Sequence, residues 1–318
     1  MCLVCGIASG AVNDEFRCRT SAEGRGDVAI IDTTLAGVPA ILRVPKSITK
    51  PPIVLWHGFG PPDSERSLME ALPLDEVPAV KVYLGLPLFG TRVPGGGNKE
   101  LVRRQSEDMA SLVFEPAVIG AAMELPKVLK ALQARECLEP GDEIGLFGFS
   151  AGGAAALFAL AEAKVAVSSA VTLNASTGLN ASIRAFEGAT KRPYAWTESA
   201  RKLAERSDAV GRAKEISAGH PPPALLIIHG ADDTMLTPKV AVTLHEALLP
   251  LYGRTGDEQR LRLTIVPGMA HGWTGAATIE ELRTSIAAWF NRYLGTARKR
   301  ESTEHPFPTP SAANGSVR

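Results

Sequence analysis

The chain has 318 residues, which is enough for one large or two medium-sized domains with a core of their own. Its 34 basic residues are balanced by 34 acidic residues, and no long basic stripe or aromatic-interleaved basic patch occurs. This balance argues against nucleic acid and anionic membranes as partners. No apolar stretch reaches the roughly 18 to 20 residues that a membrane span needs.

The first 27 residues are expected to form a partly flexible leader. Its apolar start lacks both a basic segment and a small-residue cleavage site, so we do not interpret it as a signal peptide and expect a cytoplasmic location. Cys2, Cys5 and Cys18 lie in this leader, and Cys137 lies far downstream. Cys2 and Cys5 have the spacing of a redox or metal motif, but no βαβ context or second CxxC pair accompanies them. We therefore interpret all four cysteines as reduced thiols and predict no disulfide.

Short apolar runs bounded by turn residues predict eight strands. They cover residues 28–32, 38–44, 52–56, 79–84, 143–148, 165–173, 224–228 and 261–266. A short turn between the first two predicts an antiparallel hairpin at one edge of the sheet. Helical patterns separate most of the later strands, so the rest of the sheet should be mostly parallel with helices on both faces. In such sheets ligands bind at the carboxyl ends of the strands.

Residues 85–97 follow the fourth strand and are rich in glycine and proline. Their place at a strand's carboxyl end favours a pocket wall that includes Leu88 and Phe89. A flexible surface turn explains the triple glycine at 95–97 equally well.

The most informative motif is Gly148-Phe149-Ser150-Ala151-Gly152, between a predicted strand and a run of strong helix formers at 154–163. A serine on so tight a turn has a strained backbone, and the two glycines admit neighbouring chain without a Cβ clash. The pattern predicts Ser150 as a nucleophile, although an ordinary turn of glycine and serine can have the same sequence.

A serine hydroxyl needs a base, and the base needs an acid that fixes its tautomer. The strand at 224–228 ends in His229-Gly230-Ala231-Asp232-Asp233, which puts carboxylates just past a strand end. The strand at 261–266 is followed by a turn that carries His271. The order along the chain is therefore serine, aspartate, histidine.

This order, with each member just past a strand, resembles the α/β-hydrolase family over residues 28–293. The similarity is to small serine esterases of the dienelactone-hydrolase-like or prolyl-oligopeptidase-like branch, where a His-Gly-x-x-Asp segment carries the acid and a Gly-x-x-His turn the base. The resemblance implies an α/β-hydrolase fold with an eight-stranded, mostly parallel sheet and a short helical cap at about 176–223. It assigns the acid to Asp233, with Asp232 as the alternative, and the base to His271. Dienelactone hydrolases use a cysteine nucleophile, so their particular chemistry is not implied.

Acyl transfer also needs N–H donors for the developing oxyanion. The N–H of Ala151 directly follows the nucleophile, and the resemblance gives the second donor to Phe59, in the loop after the third strand. The side chain of Phe59 would restrict bulky acyl groups. Trp196 in the cap and Trp273 beside the base complete the predicted pocket.

We therefore predict a catalytic domain at 28–297, a disordered tail at 298–318, and a serine hydrolase that cleaves small to medium carboxylic esters through an acyl-enzyme on Ser150. A thioesterase or acyltransferase that uses the same triad is the alternative within enzymes. A catalytically silent ligand-binding homologue is the alternative of another class. No histidine or cysteine cluster has metal-ligand spacing, so we expect no metal and no other cofactor. His57 and His229 are expected to hydrogen-bond to loop backbone.

Overall fold

The structure is a computed structural model that describes residues 16–18, 27–275, 277 and 279–297. Cys2, Cys5 and the predicted tail lie outside the described residues, as does most of the predicted leader. The domain boundaries therefore stay predictions.

The eight predicted strands form one sheet, in the order β1-β2-β4-β3-β5-β6-β7-β8. Their bounds are β1 Val28–Leu35, β2 Val38–Pro45, β3 Ile53–Trp56, β4 Lys81–Leu84, β5 Ile144–Phe149, β6 Val167–Leu173, β7 Ala224–Gly230 and β8 Leu261–Val266. β1 and β2 form the predicted antiparallel edge hairpin, and β2 also pairs antiparallel with β4. All pairs from β4 to β8 are parallel. The predicted eight-stranded, mostly parallel sheet is confirmed.

Helices in the described part of the chain connect and cover these strands. They are α1 Glu65–Ala71, α2 Gly97–Met109, α3 Ala121–Ala134, α4 Ala151–Glu162, α5 Leu179–Thr190, α6 Glu198–Ser207, α7 Ala213–Ile216, α8 Lys239–Gly253 and α9 Ile279–Tyr293, with a π-helix at Ala110–Gly120 between α2 and α3. The segment predicted as a cap contains α5, α6 and α7. Tyr194 of this segment donates a hydrogen bond to Asp108, where the backbone of α2 departs from helical geometry.

The strands β3 to β7 are buried on both faces, as is usual for parallel strands covered by helices. Successive side chains alternate between two cores: in β5, Leu146 lies in one core, while Phe147 and Phe149 lie in the other. Buried side chains of α3, α4 and α8 belong to the first core, and those of α1 and α9 belong to the second. Because β3 and β5 to β8 run parallel, the loops after all of them leave the same edge of the sheet.

The expectation of four reduced thiols is wrong for one pair, because Cys18 and Cys137 form a disulfide with their Cα atoms 5.0 Å apart. The described segment around Cys18 lies against the end of α3, where the Cys18 N–H donates to the carbonyl of Arg135 at 3.0 Å. The two cysteines are 119 residues apart, and cysteine pairing over such a separation cannot be deduced from sequence alone.

No helix in the described part of the chain combines the length and the apolar character that a membrane span requires.

Candidate active site

Ser150 lies at the junction of β5 and α4 with a backbone φ of 53° and ψ of −115°. A non-glycine residue in this region is strained, and such strain persists only where the surroundings impose it. The two flanking glycines allow the close packing that imposes this strain. A Cβ at Gly148 would lie 2.2 Å from the carbonyl oxygen of Gly152, and a Cβ at Gly152 would lie 2.3 Å from the carbonyl oxygen of His57. The predicted strand-turn-helix context of the motif is therefore present.

The three residues predicted as a triad lie together at the carboxyl edge of the sheet. Nε2 of His271 lies 3.0 Å from Oγ of Ser150, and Nδ1 of His271 lies 2.7 Å from Oδ2 of Asp233. His271 is in the loop after β8 and Asp233 in the loop after β7. This is the geometry in which an imidazole accepts the serine proton while a carboxylate fixes its tautomer.

Asp233, rather than the alternative Asp232, faces the imidazole. The Asp233 side chain is fully buried, and its Oδ1 accepts hydrogen bonds from the N–H groups of Met235 at 2.9 Å and Leu236 at 2.8 Å. Asp232 is exposed, and its backbone N–H donates to the carbonyl of Met269. Burial alone would raise the pKa of Asp233, but hydrogen bonds from His229 and His271 outweigh it and hold that pKa well below the ordinary range.

The two histidines expected to contact loop backbone do so. Nδ1 of His57 lies 2.8 Å from the carbonyl of Gly58, and its Nε2 accepts the N–H of Leu86 at 3.1 Å. His229 contacts the carbonyl of Leu236 through Nε2 at 2.5 Å. The same atom lies 3.2 Å from Oδ2 of Asp233, a contact with the acid that sequence reasoning did not anticipate.

The loop after β3 passes directly beside the nucleophile. A Cβ at Gly58 would lie 2.8 Å from the ring of Phe149 and 3.0 Å from Cβ of Ser150, so only glycine admits this approach. Phe59 follows, and both Phe59 and Ala151 line the cavity that contains Ser150 and His271. Ala151 is the first residue of α4, where backbone N–H groups have no partner within the helix.

The cavity beside Ser150 has a volume of about 310 Å³. Its larger apolar side chains come from the loop after β3, the end of α2, α5 and the loop after β7: Phe59, Met109, Phe186, Met235 and Leu236. Apart from His271, no described residue that lines it is ionisable. Met109, Phe186, Met235 and Leu236 were not predicted, although Phe186 belongs to the segment predicted as a helical cap.

The four other predicted pocket residues are not among the described residues that line this cavity. Phe89 is buried and stacks on Phe59, with ring centroids 4.3 Å apart, so it supports the wall from behind. Leu88 packs on the first core. Trp196 contacts Tyr194 edge to face. Trp273 is fully buried in the second core and packs on Phe149, on the other side of the sheet.

Asn174, the first residue after β6, was not predicted from the sequence. Its side chain is fully buried and hydrogen-bonds to the end of β7, just before the acid loop, and to the loop that carries His271. Among the described residues, no group of three or more histidine, cysteine, aspartate or glutamate side chains is arranged to hold a metal ion.

An eight-stranded, mostly parallel sheet with a serine elbow after the fifth strand and an acid and a base after the seventh and eighth defines a serine hydrolase of the α/β-hydrolase fold. The chain belongs to the prolyl oligopeptidase family, whose sequence profile matches residues 122–297, more than half of its length. No curated protein is significantly similar to the chain in sequence.

Solved structures share the fold at low sequence identity. A protein from Thermus thermophilus superposes with a TM-score of 0.62 at 20% identity, over 85% of this chain and 99% of that one. An esterase from Pyrococcus furiosus gives a TM-score of 0.56 at 15% identity, over 84% of this chain and 91% of that one. A dienelactone hydrolase from Anabaena variabilis gives 0.53 at 18% identity, over 85% and 100%. The predicted α/β-hydrolase fold is confirmed.

Proposed function

We propose that this chain is a carboxylesterase that hydrolyses small to medium, uncharged esters through an acyl-enzyme on Ser150. The observation that carries the proposal is the continuous hydrogen-bonded series from Ser150 through His271 to Asp233, which opens into an apolar cavity. All three positions of the triad are filled, which counts against a catalytically silent binding protein.

The reaction has two steps. His271 takes the proton of Ser150 through Nε2 as Oγ attacks the ester carbonyl, and the N–H groups of Ala151 and Phe59 stabilise the resulting oxyanion. The tetrahedral intermediate then collapses, the C–O bond breaks, and His271 gives its proton to the departing alcohol. Water then attacks the acyl-enzyme while His271 takes its proton. His271 returns the proton to Oγ as the carboxylic acid product leaves, and Ser150 is restored.

The cavity supports the choice of an uncharged acyl group. Its volume of about 310 Å³ lies at the lower end of the ~300–1,000 Å³ range of ligand pockets, which favours short to medium chains. Phe59 is held by its stack on Phe89, so the wall beside the acyl carbon cannot move easily aside. A charged acyl group would find no counter-charge among the described lining residues, and burying it there would be costly.

Amide cleavage is the second candidate, because the family to which the chain belongs takes its name from an oligopeptidase. The uncharged lining argues against peptides with a charged side chain at this site, since no described residue there could bind one. Amides with an uncharged acyl group are separated from esters by the experiment.

A matched panel tests the choice. Nitrophenyl esters of acetate, butyrate, hexanoate and dodecanoate are compared with nitroanilides of the same acids, with Ser150→Ala as the control. We expect turnover of the shorter esters, a fall in kcat/KM at dodecanoate, and no measurable anilide cleavage. Comparable rates on ester and anilide would favour the peptidase, and no turnover of any compound would favour the silent homologue.

The cytoplasmic location stays an expectation from the sequence. The Cys18–Cys137 disulfide counts against it, because disulfides persist mainly in oxidising compartments.

A further inference from the structure

Asn174 connects the end of β7, three residues before Asp233, with the loop that carries His271. Its Oδ1 accepts the N–H of Gly230 at 2.7 Å, at the end of β7. Its Nδ2 donates to two consecutive carbonyls of the base loop, those of Ala270 and His271, both at 3.0 Å. The amide thus uses both of its N–H groups and its oxygen, and its backbone N–H donates to the carbonyl of Ile228 at 2.9 Å.

The backbone beside Asn174 holds the nucleophile. The N–H of Ser150 donates to the carbonyl of Leu173, and the carbonyl of Ser150 accepts the N–H of Ser176, each at 3.1 Å. The four residues 173–176 therefore contact the backbone of the nucleophile directly, and the side chain of Asn174 contacts the end of β7 and the base loop.

The base loop is also attached through Met269, whose side chain is fully buried and whose N–H donates to the carbonyl of Val266 at 3.4 Å. Between β8 and His271, the Asp232 N–H donates to the carbonyl of Met269 at 3.0 Å, two residues before the base. A Cβ at Gly268 or Gly272 would meet no neighbour within 4 Å, so both glycines face open space. The carbonyl of His271 itself is held by Asn174.

We propose that Asn174 is a positioning residue that fixes the His271 imidazole relative to Ser150 and Asp233. The inference rests on the function proposed above. Asparagine suits the task because its backbone is in the left-handed region, with φ at 44°, which asparagine tolerates better than most residues. Only an amide of this size offers two donors and one acceptor in one plane. Asn174 does not line the substrate cavity, so it should affect the reaction by positioning the loop that carries His271.

The sharpest variant is Asn174→Asp, which keeps shape and volume but replaces the Nδ2 donor with an oxygen that faces two carbonyl oxygens. We expect kcat to fall roughly 10²-fold, as for a displacement of about 1 Å in a catalytic group, with KM within about 2-fold of wild type. Asn174→Gly suits the left-handed backbone and removes the side chain without adding a charge. We expect it to fold and to lose roughly 10-fold in kcat.

Asn291→Asp is the control for the chemical change alone. Asn291 also donates through Nδ2 to a backbone carbonyl, that of Glu76, but it is exposed and lies on α9, away from the site. It should keep the wild-type kcat. In a His271→Ala background, Asn174→Asp should change the residual activity less than about 2-fold, because a residue that acts through His271 has no further effect once the imidazole is absent.

A spectroscopic signature makes the test independent of turnover. The proton between Nδ1 of His271 and Asp233 should give a low-field proton resonance in wild type that is absent in His271→Ala. We expect it to shift or vanish in Asn174→Asp and Asn174→Gly, and to persist in Asn291→Asp.

Three results would overturn the inference. The first is a folded Asn174→Asp or Asn174→Gly variant that keeps the wild-type resonance and kcat. The second is a loss of activity on Asn174→Asp that is as large in the His271→Ala background as in wild type, and the third is an Asn174→Gly variant that does not fold. The last would show that Asn174 holds the sheet rather than the base. If wild type has the resonance but hydrolyses no ester, the proposed function is contradicted. The resonance of the Asn174 variants then decides the positioning inference.

Discussion

The Nε2 atom of His229 lies 3.2 Å from Oδ2 of Asp233, the same oxygen that faces His271. It also lies 2.5 Å from the carbonyl of Leu236. Two acceptors beside one ring nitrogen require that nitrogen to carry the proton. Its N–H donates to the carbonyl of Leu236 and lies close enough to Asp233 to stabilise the carboxylate charge. The carboxylate is thereby held by two imidazoles and by two backbone N–H groups.

Removing the His229 donor should weaken the fold. In His229→Leu, the carbonyl of Leu236 and a buried carboxylate oxygen lose a donor, so we expect the free energy of unfolding to fall by about 1–3 kcal/mol. His229→Gln keeps an N–H donor and should recover part of the loss. Urea denaturation of both variants checks this. Equal stability of His229→Leu and His229→Gln would show that the N–H donor does not contribute to stability.

The two adjacent aspartates provide a matched pair. Asp233→Asn removes the charge that stabilises the His271 imidazolium and disturbs its tautomer, so we expect kcat to fall by about 10⁴-fold. Asp232→Asn, one residue away and exposed, should stay within about 2-fold of wild type. Steady-state kinetics on a short-chain ester compares them. A larger loss in Asp232→Asn would reassign the acid.

Stability at low pH should also depend on Asp233. Burial opposes the charged form, but hydrogen bonds from His229 and His271 hold the pKa of Asp233 below its ordinary value of about 3.9. The ionised carboxylate therefore contributes stability above that pH, and the contribution is lost as pH falls through the lower folded-state pKa.

The free energy of unfolding of wild type minus that of Asp233→Asn should consequently decrease from about pH 5 to about pH 2. Denaturation at a series of pH values measures the difference, with Asp232→Asn in place of Asp233→Asn as the control. A difference that stays constant with pH would contradict the shifted pKa.

Phe59 should set the tolerance for branching at the carbon next to the ester carbonyl. Its ring lines the cavity and is held by the stack on Phe89. Phe59→Ala makes room there, so kcat/KM for a branched acyl ester relative to its linear isomer should rise by about 10-fold or more. Trp196→Ala is the control, because Trp196 is not among the described lining residues and should leave this ratio unchanged. A ratio unaffected by Phe59→Ala would place the acyl group elsewhere.

The sheet and the triad were predictable because both follow from local signals. Each strand is a short apolar run, and Ser150, Asp233 and His271 each lie just past such a run. Parallel strands bring their carboxyl ends to one edge, so residues 121 positions apart, such as Ser150 and His271, meet without any long-range signal in the sequence.

The pocket was less predictable because it depends on how separate segments pack. Trp273 is two residues from the base, yet it turns to the second core and packs on Phe149. Met109 comes from α2 and Phe186 from α5, and only tertiary packing brings both side chains to the cavity beside Ser150. Asn174 was missed because an asparagine after a strand is indistinguishable from an ordinary turn residue.

Labelling with a fluorophosphonate probe tests most directly whether Ser150 is an activated nucleophile. Wild type, Ser150→Ala and His271→Ala are compared under native conditions, after circular dichroism has shown that all three are folded. We expect rapid labelling of wild type and none of either variant, because the serine is the site of attack and His271 removes its proton. A folded wild type that resists probes of several sizes, or a Ser150→Ala variant that is still labelled, would contradict the assignment of Ser150 as the nucleophile.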